Sequence, residues 1–161
     1  MCWSCAGLLY FKAMIQGGTV SLPFTTGVHA PIAADDQARV IAALLENPTP
    51  HAGKVYPLCG PVLMTFEESF RIAGDVLGKP IQYRVTSMDE YAAMWSSLGC
   101  SPYFVQHIVE VAKAHTNGGF SIFNHDVEKI TGQRPMTVAE FVEKNRAQLI
   151  DKTPAKPRNR A

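Results

Sequence analysis

Apolar residues recur along this chain mostly at helical spacing, and only a few short runs suit a strand. Residues 6–16, "AGLLYFKAMIQ", carry the helical period and stop at Gly17-Gly18. "TVSLPF" (19–24) then predicts a short strand, followed by the loop "TTGVHAP". The pattern returns to helix in "AADDQARVIAALLEN" (33–47), with acids in its first turn, Ile41, Leu44 and Leu45 expected on its inner face, and Pro48 to end it. "KVYPLCG" (54–60) is a second strand candidate and "IQYRVT" (81–86) a third.

Helix starts are marked more sharply than anything else. Thr65 and Glu68 make a T-x-x-E capping box ahead of "FEESFRIAGDVLG". Ser87 and Glu90 make an S-x-x-E box ahead of "MDEYAAMWSSLG", and Thr137 and Glu140 one ahead of "VAEFVEKNRAQLI". Ser101-Pro102 opens a helix over 102–116, with serine as cap and proline at the first position. On that helix Phe104, Ile108, Val111 and His115 share a face, which predicts a packed His115, while His107 flanks it. Tyr91 and Trp95 are expected in the core. Helices alternating with short strands give an α/β reading, with a thin sheet for so many helices.

Composition narrows the class. At 161 residues the chain is long enough for one domain and too short for two ordinary ones. Its net charge of +1 gives no strong field for nucleic acid or membrane, and no apolar run reaches the length of a membrane span. The charge is uneven. The tail "DKTPAKPRNRA" (151–161) carries +3, which leaves −2 on residues 1–150, and its composition predicts a disordered, solvated end after a folded region over 1–150. Four scattered cysteines do not make a disulfide framework, and a cytoplasmic protein is expected.

The candidate chemistry is sparse. Cys2 and Cys5 form C-W-S-C, which reads as a redox dithiol, a zinc-ligand pair or an incidental pair. No strand precedes it to deliver a thioredoxin-like motif, and Cys59 and Cys100 have no partner nearby in sequence for a zinc site, so the incidental pair is expected. The five histidines form no H-E-x-x-H, and no metal site is assigned. There is no G-x-G-x-x-G or phosphate-binding loop and no G-x-S-x-G elbow. The tyrosines 10, 56, 83, 91 and 103 are followed four residues on by Met14, Gly60, Ser87, Trp95 and His107, so no Tyr-x-x-x-Lys pair exists. No catalytic or cofactor-binding residue is assigned from the residues alone.

One long stretch does carry a resemblance. Leu22-Pro23, then Ala33, Asp36, Ala38, Arg39 and Val40, resemble the L-P strand and A-x-x-D-x-A-R-V helix of NmrA-like proteins, the atypical short-chain dehydrogenases that include azoreductase- and quinone-reductase-like members. Gly53, Lys54, Tyr56, Leu58, Gly60 and Pro61 match the family's G-K-x-Y-x-L-x-G-P element. Leu77-Gly78-Lys79 and Ile81 match the next, and Thr131, Gly132, Pro135 and Thr137 match its T-G-x-x-P-x-T signature. The resemblance covers roughly residues 7 to 150, and the order and spacing of the motifs carry it. C-W-S-C stands where the family has an R-P-x-x-F run.

The resemblance implies the C-terminal part of an NAD(P)-binding Rossmann-like fold with a small helical substrate lobe, its glycine-rich N-terminal half absent. It implies NAD(P)H as cofactor, with no tight binding expected of this chain, and a quinone- or azo-type substrate. A truncated oxidoreductase, inactive alone, is therefore expected. The alternative is a non-enzymatic redox-sensing or regulatory module that binds a protein. It further implies that Phe24, His29, Tyr103 and His107 line a substrate cleft, and that an uncovered Rossmann-facing surface meets a partner or a second copy.

Overall fold

The computed structural model describes Cys5 and residues 7–150; Cys2 and the predicted tail 151–161 lie outside the described residues. Two short helices, α1 (Gly7–Tyr10) and α2 (Lys12–Gly17), lead into strand β1 (Thr19–Leu22). The single helix predicted over 6–16 is broken at Phe11, whose ψ of 16° is not that of a continuing helix. Helix α3 (Ala34–Glu46), a 3-10 turn (Thr49–His51) and helix α4 (Phe66–Leu77) then separate β1 from β2 (Gln82–Val85). Helices α5 (Met88–Ser97), α6 (Pro102–Thr116), α7 (Asp126–Thr131), α8 (Val138–Lys144) and α9 (Arg146–Ile150) complete the chain.

Among the described residues the sheet has two strands. They run parallel, with Thr19 opposite Gln82 and Leu22 opposite Val85, so the helical segment between them is a crossover. Val20 and Leu22 are fully buried, while β2 is mostly exposed. Helix α2 packs on β1, α4 lies against β2 and α8, α5 against α6, and α3 against α7. The main core gathers Phe11, Ile15, Phe24, Phe66, Phe70, Tyr91, Phe141 and Leu149 around β1. A smaller cluster of Ile32, Val40 and Val127 sits under α3 and α7.

The helix starts follow the sequence. Thr65, Ser87 and Thr137 each accept the N–H three residues on, and the returning Glu68, Glu90 and Glu140 each accept from the cap's own N–H. Ser101 accepts from Phe104 N–H at the start of α6.

Two expectations are corrected and a third is refined. Residues 54–60 form no strand. That segment is fixed piecemeal, by Gly60 N–H donating to the Ala30 carbonyl at 3.1 Å and by Asn124 donating to the Pro57 carbonyl at 2.6 Å, with no neighbouring strand to complete a ladder. Ile41 and Leu45 face outward on α3, at 56% and 74% exposure. The buried side of α3 turns on Asp36 and Val40 instead, because Asp36 is drawn inward by a hydrogen bond described below. Cys5, expected only as half of an incidental pair, is part of the core: its N–H donates to the Ile32 carbonyl at 2.7 Å, and burial pushes its thiol up to about 12. A thiol held protonated is no nucleophile, which removes Cys5 from the redox reading.

Candidate functional site

Pro23 ends β1, since it has no N–H to continue the ladder, and the chain turns into the loop 24–33. Two contacts fix that loop. Tyr83 on β2 donates its hydroxyl to the Phe24 carbonyl at 2.7 Å, and burial raises that phenol's pKa. Farther on, His29 and Met64 exchange backbone hydrogen bonds of 3.0 and 2.9 Å as an isolated antiparallel bridge. The loop thus carries Phe24 and His29 to the end of α6.

There the rings form one block. Phe24 stacks on Phe66 with centroids 4.1 Å apart. His115, on the last turn of α6, meets both edge-on at 5.0 Å and has Phe120 stacked at 5.9 Å. The two imidazoles touch: His115 Nε2 and His29 Nδ1 lie 3.1 Å apart in a buried hydrogen bond. At 4% and 0% exposure both rings are out of water. Burial holds His29 down at about 3, helped by its neighbour His115, and holds His115 down at about 4, so both are neutral at physiological pH. One ring then donates and the other accepts.

Two glycines make this approach possible. A methyl group on Gly27 would lie 2.2 Å from the His115 carbonyl oxygen, and one on Gly60 would lie 1.8 Å from the Pro31 carbonyl oxygen. Around the block, the Cys59 thiol donates to the Ile122 carbonyl at 3.3 Å and ties the 57–60 segment to the loop after α6.

Of the four residues placed in a cleft by resemblance, the structure brings Phe24 and His29 together, both buried. Tyr103 and His107 are exposed at the other end of α6, Tyr103 at 82%. His107 precedes His115 by eight residues, about 80° around the helix, so it stands on the flank of His115's face, more than two turns away and exposed. His115 is packed, as its place on the apolar face of α6 predicted. The His29–His115 pair itself has no sequence signal, because 86 residues separate the partners. A local pair, His51 and Tyr56, has its ring nitrogen and hydroxyl 2.7 Å apart in the loop after α3.

The family's A-x-x-D-x-A-R-V and T-G-x-x-P-x-T motifs meet at a second place. Asp36 accepts the Met136 N–H at 2.8 Å and is ion-paired to Arg39, which also hydrogen-bonds the Gln133 side chain. These residues border an open groove of about 690 Å³, and Asp36 joins Arg39 and the Met136 N–H across it, so the motif residues act as a clasp.

A dinucleotide needs a pyrophosphate cradle, usually a glycine-rich turn feeding a helix N-terminus. Among the described residues, the starts of α3 to α8 do not fit one. Acids occupy the first turns of α3, α4, α5, α7 and α8, and the capping glutamates of α4, α5 and α8 stand where a phosphate would sit. Helix α6 begins with Pro102, which has no N–H, and Ser101 already takes the Phe104 N–H. Among the described residues no group of three metal-ligating side chains could hold an ion, and no helix is long and apolar enough to cross a membrane.

No family model matches the chain. It is 27% identical over 120 residues to festuclavine dehydrogenase of Aspergillus fumigatus, covering 74% of this chain and 41% of that protein. The fold matches an Escherichia coli NADPH-dependent quinone oxidoreductase with a TM-score of 0.80 at 23% identity, over 89% of this chain and 52% of that one. A Staphylococcus aureus nucleoside-diphosphate-sugar epimerase matches at 0.78 and 22% identity, over 89% and 50%. A Citrobacter sp. triphenylmethane reductase complexed with NADP(H) matches at 0.74 and 21%, over 84% and 47%. These neighbours fall in the NmrA-like epimerase–reductase group, and at such identities what they share with this chain is the fold. The architecture is a partial Rossmann-like α/β fold, and the chain spans about half the length of the proteins it matches.

Proposed function

We propose that this chain acts as the substrate-lobe part of an NmrA-like NAD(P)H-dependent oxidoreductase, with a quinone- or dye-type acceptor as substrate, and that it is inactive without a dinucleotide-binding half. The observation that carries the reading is the superposition on half of an NADPH-dependent quinone oxidoreductase at a TM-score of 0.80. The capped, acid-flanked starts of α4, α5 and α8 support the second clause, since none of the three offers a pyrophosphate cradle. What remains for the lobe is to shape the acceptor's surroundings, with Phe24 and His29 as a buried wall and Tyr103 and His107 exposed on α6.

Two titrations test this. Calorimetry of the chain with NADPH is expected to give a Kd weaker than about 1 mM, because each charge-assisted hydrogen bond to phosphate is worth about 1.5–3 kcal/mol and tenfold in affinity is about 1.4 kcal/mol. A micromolar constant overturns the incomplete-site reading. Menadione, a simple quinone, is expected to shift backbone NMR signals of residues 24–32 and of α6 around Tyr103 and His107. Shifts confined to other regions, or none at millimolar quinone, overturn the substrate-lobe reading.

A second reading has its own support in exposed apolar side chains, among them Val55, Leu45 and Tyr103 at 88%, 74% and 82% exposure. Under it the chain is a non-enzymatic redox-sensing or regulatory module that covers such side chains with a protein partner or a second copy. Sedimentation then shows mass growth with concentration, which a purely monomeric chain contradicts.

A further inference from the structure

The two buried imidazoles do more than fill space. They join elements far apart in sequence, a loop that follows β1 and the last turn of α6, through one hydrogen bond of 3.1 Å. The loop is pinned at one end by Tyr83 on the Phe24 carbonyl and near the other by the His29–Met64 bridge. Between these pins lies Gly27, whose backbone rests against the His115 carbonyl and ring. The loop therefore sits on α6 chiefly through histidine and aromatic rings, an arrangement that works while both imidazoles are neutral.

We propose that the His29–His115 pair is an acid-sensitive latch: uptake of a proton by the pair releases loop 24–32 from the end of α6 and uncovers the Phe24–Phe66 block. The latch is a property of the fold and does not rest on the oxidoreductase reading.

The groups facing the pair from each packed element explain why a proton cannot be absorbed quietly. Helix α5 offers Tyr91 and β2 offers Tyr83, both phenols whose pKa burial raises, so both are neutral. On α4, Glu68 is committed to the Thr65 cap and Glu67 is exposed. On α6 itself, Glu110 and Lys113 pair with each other at 2.8 Å on the outer side. The loop after α6 brings Phe120 and, farther on, His125, which is exposed. A charge on the pair would thus stand in a ring-lined interior, where the charged form is disfavoured.

The sign follows from linkage. Both histidines have folded pKa values below the ordinary 6.5, so the open form binds the proton more readily. The latch is at full strength above about 6.5 and weakens as pH falls from there toward 3.

Residue-resolved hydrogen exchange of the full chain, corrected for the intrinsic rate at each pH, tests it. Between pH 7.5 and 5, protection over 24–32 and 112–118 is expected to fall at least tenfold, while β1, α4 and α8 keep theirs. His115→Gln and His29→Gln, which hydrogen-bond but cannot charge, should each reduce the pH dependence, and the double variant should remove it. Unchanged protection, a uniform fall across the fold, or the same tenfold fall in the folded double variant overturns the latch. Should the double variant unfold, the wild-type pattern alone decides between a local and a uniform loss.

Discussion

At the scale of the single residue, Gly27 is where a methyl group would matter most to the ring block. Its added carbon would stand 2.2 Å from a carbonyl oxygen and 2.6 Å from a ring nitrogen of His115, and neither belongs to the free end of a flexible side chain. Relief requires moving the loop or the end of α6. Gly27→Ala is therefore expected to cost about 3 kcal/mol, as overpacking does when a buried contact cannot relax, measured by urea unfolding. Gly17→Ala is the matched control, because a Cβ there meets nothing within 4 Å. It should be neutral or stabilising by up to about 1 kcal/mol. Equal losses at both positions would show that the close approach of Gly27 to His115 is not the cause. Cys5 makes a related point: nothing in C-W-S-C distinguishes a reactive thiol from a core one, and burial decides it.

At the scale of the element, three helices are started by the same device. Each box satisfies two backbone N–H groups at once, and the glutamate carboxylate also lies at the positive end of the helix. The box of α8 is the most elaborated. Arg134 reaches back to Glu140 at 2.9 Å and, with the Thr137 cap, holds that carboxylate well below the usual range. Thr137→Ala is expected to lower stability by about 1 kcal/mol, within the usual span for losing a cap, and thermal unfolding measures it. Thr137→Ser should recover most of the loss, since a serine oxygen reaches the same N–H. A full loss in the serine variant would mean the threonine methyl, rather than the cap, is what α8 needs.

At the scale of the whole molecule, the Asp36 clasp joins α3 to the segment between α7 and α8 across 100 residues of chain. It closes over the small cluster of Ile32, Val40 and Val127, which has few residues to hold it otherwise. Asp36→Ala leaves the Met136 N–H without its acceptor and Arg39 without its carboxylate. Arg39 is 31% exposed, so water recovers part of that loss. The expected cost is about 2 kcal/mol, between a neutral and a fully buried charged hydrogen bond, with faster amide exchange at Val40 and Val127. Asp36→Asn keeps one acceptor and should lose less. An alanine variant as stable as the wild type would reduce the clasp to a surface pairing.

Much of this fold was legible from local chemistry. Thr65, Ser87, Ser101 and Thr137 announce their helices because a cap and its N–H lie three residues apart, and β1 ends at Pro23 for a reason contained in proline itself. The order of motifs along residues 7–150 also pointed to the fold that the structure shows. What depends on distant partners could not be read the same way. The 54–60 segment has strand-like residues but no strand beside it, and Ile41 and Leu45 turned outward because Asp36 had a hydrogen bond to make on the inner side. The candidate site was half legible, since Phe24 and His29 could be named while His115 was seen only as a packed ring. Their meeting depends on Gly27 lying flat against His115 and on Met64 holding His29 in place, contacts made only once β1, α4 and α6 have packed. Sequence alone determined where α4, α5, α6 and α8 begin, and it pointed to the fold they enter. The tertiary structure decided which imidazoles face each other, because hydrogen bonds between residues 86 apart are selected by packing and leave no period or spacing along the chain.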